Sequence, residues 1–100
     1  MERIYVVHWG SASFDDDGNA KAFADVHGVY TTKSAAQFGL NECKEQAYNE
    51  IVNNPDYDES DIAEAMKTTR VYGSVEDGYF EIDYTIGDTP CEIYITITEQ

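Results

Sequence analysis

Apolar and polar residues alternate most regularly in the last third of the chain, where Phe80, Ile82 and Tyr84 take every second position. A period of two is typical of a strand with one buried face. Turn residues divide the run at 77–78 and at 87–90. The pattern therefore predicts a three-stranded antiparallel meander.

The turns also predict which residues of the meander pair. A two-residue turn at 77–78 places Gly73 opposite Ile82, and a turn at 87–90 places Ile82 opposite Ile95. Both pairings send apolar side chains to the same face, whereas a slip of one residue would reverse that face. We therefore expect this register.

The other face of the meander combines carboxylates and tyrosines and has no basic residue: Tyr72, Ser74, Glu76, Glu81, Asp83, Glu92, Tyr94 and Thr96. Neighbours on one face of a strand lie about 6.6–6.8 Å apart. Carboxylates at this spacing can imitate a row of phosphates. The alternative is an ordinary solvated face, although such faces usually mix charges of both signs.

Two helices are predicted in the middle of the chain. Residues 34–53 carry one apolar stripe at helical spacing, formed by Ala36, Leu40, Cys43, Ala47 and Ile51. A shorter helix is expected at residues 60–69, with Ser60 as its cap. Before them, residues 4–9 and 22–30 favour strands, with Gly28 at a bulge or close approach. The apolar run in the first strand indicates burial on both sides and a central position.

These elements predict one domain over residues 1–100, of the α+β class. An antiparallel sheet of four or five strands packs on the main helix, and the short second helix closes one end. The sequence has no secretory signal and no apolar run long enough to span a membrane, so we expect a cytoplasmic protein. Cys43 and Cys91 are then expected to be reduced and buried.

Charge narrows the class of partner. Twenty acidic residues face six basic ones, for a net charge of -14. Nucleic acid and acidic membranes are polyanions, so neither is expected to bind directly. Three explanations of the acidity remain: the acids bind a basic protein surface, they bind a cation, or they only keep the protein soluble. The hydrophobic fraction of 42%, with 13% aromatic residues, argues against disorder.

A second acidic cluster surrounds Tyr57 and comprises Asp56, Asp58, Glu59, Asp61 and Glu64. One interpretation, the helix-start interpretation, is that these acids stabilise the beginning of the helix and keep the protein soluble, since acids are favourable at a helix N-terminus. The other is a mobile acidic arm that inserts Tyr57 into a groove rich in Arg and Lys.

No pattern in the sequence indicates catalysis. The acidic turn at residues 15–17 does not fit the calcium-binding loop template in either frame. His8 and His27 could meet if the first two strands pair, but their spacing is not that of a metal motif. We therefore expect no enzyme activity, no catalytic residue, no metal and no cofactor, and an enzyme or metal protein that uses His8, His27 and residues 15–17 is kept only as a third alternative.

Three segments resemble small acidic uncharacterised proteins of phages and mobile elements: the opening strand Arg3-Ile4-Tyr5-Val6-Val7, the helix start Gly28-Val29-Tyr30-Thr31-Thr32-Lys33-Ser34-Ala35-Ala36, and the acidic meander over residues 78–99. The resemblance implies an α+β fold and brings no catalytic residues with it. In general character the chain is also similar to anti-CRISPR and anti-restriction inhibitors.

The leading hypothesis is a non-enzymatic acidic binding protein that imitates nucleic acid. It would block a basic nucleic-acid-binding protein such as a CRISPR effector or a restriction nuclease. Aromatic residues ringed by acids are the expected contacts: Asp56, Tyr57, Asp58, Glu59, Tyr72, Glu81, Asp83, Glu92 and Tyr94. The alternative is a structural or assembly accessory protein, or a homodimer that pairs an edge strand, whose acidity serves only solubility.

Overall fold

The structure, a computed structural model, describes residues 3–14 and 17–100. They form, in chain order, β1 (Tyr5–Phe14), β2 (Ala20–Tyr30), α1 (Lys33–Val52), α2 (Glu59–Thr68), β3 (Arg70–Ser74), β4 (Tyr79–Ile86) and β5 (Thr89–Glu99). The predicted α+β class is confirmed: one antiparallel sheet of five strands accompanies a main helix and a short second helix.

The sheet has the strand order β2-β1-β5-β4-β3. β1 therefore lies inside the sheet, the position that its apolar run favoured, but the expected burial on both sides is wrong. Val7 is fully buried beneath α1, whereas Val6 and His8 on the opposite face are only half-buried. Both helices pack on one face, here called the helix side, and no described helix covers the other, the outer face.

The predicted strand pairings are wrong by two residues in both hairpins. Gly73 lies opposite Phe80 instead of Ile82, and Ile82 lies opposite Ile93 instead of Ile95. A slip of two residues leaves every side chain on its predicted face. The apolar side chains of the meander therefore still point to the helix side.

The turns explain this shift. Between β3 and β4 the loop has four residues, 75–78, and the Gly78 N–H donates to the Ser74 carbonyl at 3.1 Å. Between β4 and β5 the turn has only two, Gly87 and Asp88, with φ of 57° and 65°. Two consecutive positive φ angles are typical of the tight hairpin turn whose twist matches the strands.

The buried stripe of α1 is the one that the helical spacing predicts. Ala36, Leu40, Cys43, Ala47 and Ile51 pack against the sheet. The helix begins after Thr32, whose hydroxyl accepts the Ala35 N–H at 3.2 Å. Both cysteines are free and buried, and burial raises the pKa of the Cys43 thiol to about 11.

The second helix begins earlier than predicted, because Asp58 and not Ser60 is its cap. The Asp58 carboxylate accepts the Asp61 N–H at 2.8 Å, and the Asp61 carboxylate accepts the Asp58 N–H at 3.3 Å. This reciprocal pair satisfies two backbone donors at the helix start.

The irregularity predicted near Gly28 is a bulge. Val7 lies opposite Gly28, but the next residue, His8, lies opposite Val26. His27 is therefore the extra residue of β2, and its side chain turns to the helix side, where Nε2 lies 3.2 Å from Glu42 Oε1. The bulge separates the covered end of β2 from residues 20–26, which are all exposed.

Candidate functional site

Five of the nine predicted contact residues lie together on the outer face of β3, β4 and β5. One row across the strands is Tyr72, Glu81 and Tyr94, and the next is Asp83 opposite Glu92. Side chains directly opposite each other have Cβ atoms about 4.5–5.5 Å apart. With Tyr79, which shares this face, they form the acidic sheet face: Tyr72, Tyr79, Glu81, Asp83, Glu92 and Tyr94.

Three carboxylates in the acidic sheet face repel one another. Asp83 and Glu92 are directly opposite, a pairing that destabilises a sheet. Partial desolvation raises the pKa of Glu81, followed by a hydrogen bond between the Glu81 and Asp83 carboxyl groups and by the charges of Asp83 and Glu92. Asp83 Oδ1 is buried and accepts no hydrogen bond from any described residue. The cluster thus holds negative charge that no ion pair between described residues neutralises.

The tyrosines frame these carboxylates. Tyr94 donates its hydroxyl to Glu92 Oε2 at 2.6 Å. This hydrogen bond, together with desolvation, raises the pKa of Tyr94 to about 12, so the phenol stays protonated and holds the carboxylate in place. The side chains remain accessible, because Tyr72 is 51% exposed and Tyr79 and Tyr94 are each 43% exposed. Exposed rings beside fixed acids suit an interface.

The expectation of a face without a basic residue is wrong at one corner. Arg70 lies opposite Asp83 in the β3–β4 pairing. Its guanidinium turns to the end of α2, where Nη1 donates to the Thr69 carbonyl at 2.9 Å. The ion pairs between described residues, Arg3–Glu99, His27–Glu42 and Lys44–Glu45, include no member of the acidic sheet face. Glu76, predicted on this face, lies instead in the β3–β4 loop.

The other four predicted contacts lie across the sheet, on the helix side. Asp58 caps α2 and Glu59 occupies its first turn. The Asp56 N–H donates to Asn54 Oδ1 at 2.9 Å. Tyr57 is half-buried near Tyr84, and burial raises the pKa of its phenol. These contacts agree with the helix-start interpretation, and the interpretation as an arm that inserts Tyr57 into a basic groove stays a prediction.

The two histidines do not meet, although β1 and β2 pair. His8 Nε2 lies 2.7 Å from Thr98 Oγ1 on the outer face, while His27 reaches Glu42 on the helix side. Asp15 and Asp16 lie outside the described residues. Within the described residues, no three His, Cys, Asp or Glu side chains gather as a metal site would require.

Sequence reasoning missed two features. Tyr79 belongs to the acidic sheet face, and its alternation with the buried Phe80 was the available signal. The second feature is the exposed stretch of β2, residues 20–26. Its isolated alanines carry little periodic signal, and only the strand order shows that it is an edge.

No protein-family model matches this chain, and searches among curated proteins and solved structures found no match either. Neither α1 nor α2, the helices of the described chain, has the length and apolar character needed to cross a membrane.

Proposed function

We propose that this chain is a non-enzymatic binding protein whose acidic sheet face docks on a basic surface of a nucleic-acid-binding protein. The observation that carries the proposal is the cluster of Glu81, Asp83 and Glu92, which are fixed on adjacent strands and of which none forms an ion pair with a described residue. Their mutual repulsion has a stability cost that a Lys- or Arg-rich partner would relieve.

The detail of the cluster supports a partner with directional donors. Glu92 is oriented by the Tyr94 hydroxyl, and the rings of Tyr72 and Tyr79 on the same face are exposed. A guanidinium presents paired N–H groups that match carboxylates and also stacks on aromatic rings. An Arg-rich groove that normally holds phosphates offers this chemistry, so the proposed targets are nucleases such as CRISPR effectors or restriction enzymes.

The proposal is tested with two variants of equal charge. The sheet-face variant replaces three acids of the acidic sheet face (Glu81→Gln, Asp83→Asn, Glu92→Gln), and the control replaces three exposed acids outside the predicted contacts (Glu45→Gln, Glu50→Gln, Asp77→Asn). Binding to a panel of purified Cas nucleases and restriction endonucleases is measured by biolayer interferometry. The sheet-face variant should bind at least about tenfold more weakly, since interfacial charge pairs are worth several kcal/mol. The control should bind within about threefold of the parent chain.

Salt gives a second readout in the same assay. Electrostatic encounter slows as ionic strength rises, so association should be slower at about 0.5 M than at about 0.1 M NaCl. An equal loss of affinity in both variants would show that only the net charge matters. Binding that does not depend on salt would exclude the charge mechanism. Absence of binding to every nuclease would overturn the proposed target class.

A second candidate is a structural or assembly protein whose acidity serves only solubility. The exposed edge strand β2 favours it, because an unpaired edge is a template for association with another chain. Self-association that persists in the sheet-face variant, together with no binding to basic proteins, would support this candidate.

A further inference from the structure

The segment of β2 from Ala20 to Val26 has the properties of an unprotected sheet edge. β2 is the first strand of the sheet, and no described strand pairs with its free side. All seven residues are exposed, including Phe23 at 51% and Val26 at 54%. Edge strands usually carry a proline, several charges or a covering loop against association. This segment contains one Lys and one Asp, and no proline.

The two charges of the segment are not paired within the described chain. The ion pairs between described residues include neither Lys21 nor Asp25. Asp25 Oδ1 instead accepts the neighbouring Val26 N–H at 2.8 Å. Lys21, Phe23 and Asp25 alternate with alanines, so all three share one face. That face is the helix side, because the Phe23 ring contacts Trp9 at a centroid distance of 5.1 Å.

The order of these residues is self-complementary. In an antiparallel pair, the N–H and C=O groups of two facing residues either both point toward the partner strand or both point away from it. When a strand pairs with a second copy of itself, the two-fold axis must therefore pass through a residue and not between two residues. Centring on Phe23 places Lys21 opposite Asp25 twice, with Phe23 opposite itself. Centring on Ala22 or Ala24 leaves both charges without a partner, and centring on Asp25 brings two carboxylates together.

We propose that β2 pairs antiparallel with β2 of a second copy, with Phe23 on the two-fold axis. The joined segments, Ala20 to Val26, would exchange about six to eight backbone hydrogen bonds. On the outer face Ala20 would face Val26, and Ala22 would face Ala24. The His27 bulge ends the pairing before the part of β2 that α1 covers. The acidic sheet face stays free in both copies, so this inference is independent of the proposed nuclease binding.

Charge reversal tests the pairing. The variants are Lys21→Asp, Asp25→Lys and the two combined, and dissociation constants are measured by sedimentation equilibrium at physiological ionic strength. Each single reversal places like charges opposite each other twice and should weaken self-association about tenfold or more. The combined variant restores both pairs and should associate like the parent chain.

The single reversals also separate pairing from net charge. Lys21→Asp makes the chain more negative and Asp25→Lys makes it less negative, so a net-charge effect would move the two in opposite directions. If the strands pair as proposed, both single reversals weaken self-association. A parent chain that stays monomeric as concentration rises, or a combined variant that is folded by circular dichroism yet fails to associate, would overturn the proposal.

Cysteine cross-linking tests the register directly. Phe23→Cys would place two cysteines opposite each other at the axis, within reach of a disulfide. The matched control Lys21→Cys leaves its two cysteines about 13 Å apart along the strands. Under mild oxidation the first variant should form a covalent dimer and the control should not. Equal cross-linking of both would exclude this register. The native cysteines are buried and are not expected to compete.

Discussion

Tyr30 occupies a site that exists because two of its neighbours lack side chains. A Cβ added at Gly28 would lie 2.7 Å from the Tyr30 hydroxyl, and one added at Gly39 would overlap the same end of the ring. The phenol therefore fills the space between β2 and α1. Gly39 weakens the helix by its intrinsic propensity, but it leaves room for the end of the Tyr30 ring.

We predict that Gly39→Ala destabilises the protein although alanine is the better helix former. Helix propensity favours Ala by about 1 kcal/mol, but overpacking a filled site typically costs about 1–3 kcal/mol. The net loss should be about 1 kcal/mol, measured by urea unfolding. In a Tyr30→Ala background the collision is absent, so the same substitution should become stabilising. Destabilisation in both backgrounds would contradict this explanation.

Glu64 fastens the short helix to a turn of the sheet. Its carboxylate accepts the N–H of Gly87 at 2.7 Å and of Asp88 at 3.3 Å, and the Thr85 hydroxyl at 3.3 Å. These donors, the Gly87 N–H first, lower the pKa of Glu64. At the level of elements, an acid of the second acidic cluster thus joins α2 to the β4–β5 turn.

We predict that Glu64→Gln lowers the melting temperature near neutral pH. A depressed carboxyl pKa in the folded state contributes stability above the ordinary value of 4.5, and this contribution is lost as the pH falls through the folded-state pKa. The difference between the variant and the parent chain should therefore shrink between about pH 5 and pH 3. Thermal melts at several pH values measure it.

The control for this prediction is Glu76→Gln, which removes the same charge from the β3–β4 loop. A difference between Glu64→Gln and the parent chain that stays constant throughout this acid range would show that the hydrogen bonds to the carboxylate are not responsible. The pKa of Glu81, by contrast, is raised. Because Glu81 is present in both chains, its contribution largely cancels in the comparison.

At the scale of the whole molecule, the dominant quantity is the net charge of -14. The described acids lie on both sides of the sheet. Asp58, Asp61 and Glu64 make hydrogen bonds that hold the fold. The carboxylates of the acidic sheet face instead repel one another. The first set of acids therefore stabilises the fold, and the second set destabilises it.

We predict that the unfolding free energy rises when NaCl is increased from about 10 mM to about 150 mM. The screening length falls from about 30 Å to about 8 Å over this range, which weakens repulsion between exposed charges. The sheet-face variant (Glu81→Gln, Asp83→Asn, Glu92→Gln) should be more stable than the parent chain at the lower concentration and less sensitive to salt. Urea unfolding at both concentrations provides the measurement. An unchanged or larger salt dependence would show that the sheet-face repulsion is not the source.

The helices and the faces of the strands could be predicted because they depend on local spacing. Leu40 and Cys43 fall on the buried stripe of α1 as the 3.6-residue repeat requires. Ile82 and Ile93 take the buried face that their alternation indicates. The pairing of Gly73 with Phe80 could not be predicted, because it depends on a four-residue loop, and pairings that differ by two residues give the same pattern of faces.

The candidate site, too, could be predicted only in part from the sequence. Alternation within each strand, together with the predicted turn between them, placed Glu81, Asp83, Glu92 and Tyr94 on one polar face, because neighbours along a strand point to opposite sides. Only the tertiary structure separated them from Asp58 and Tyr57, which belong to the other side of the sheet.

The sequence by itself determined the acidity, the class of fold and the apolar face of each element, since these follow from composition and local period. The tertiary structure alone decided that β2 is an edge and that Asp83 faces Glu92. Contacts between residues distant in sequence depend on chain topology and turn length, and neither leaves a periodic trace in the amino-acid order.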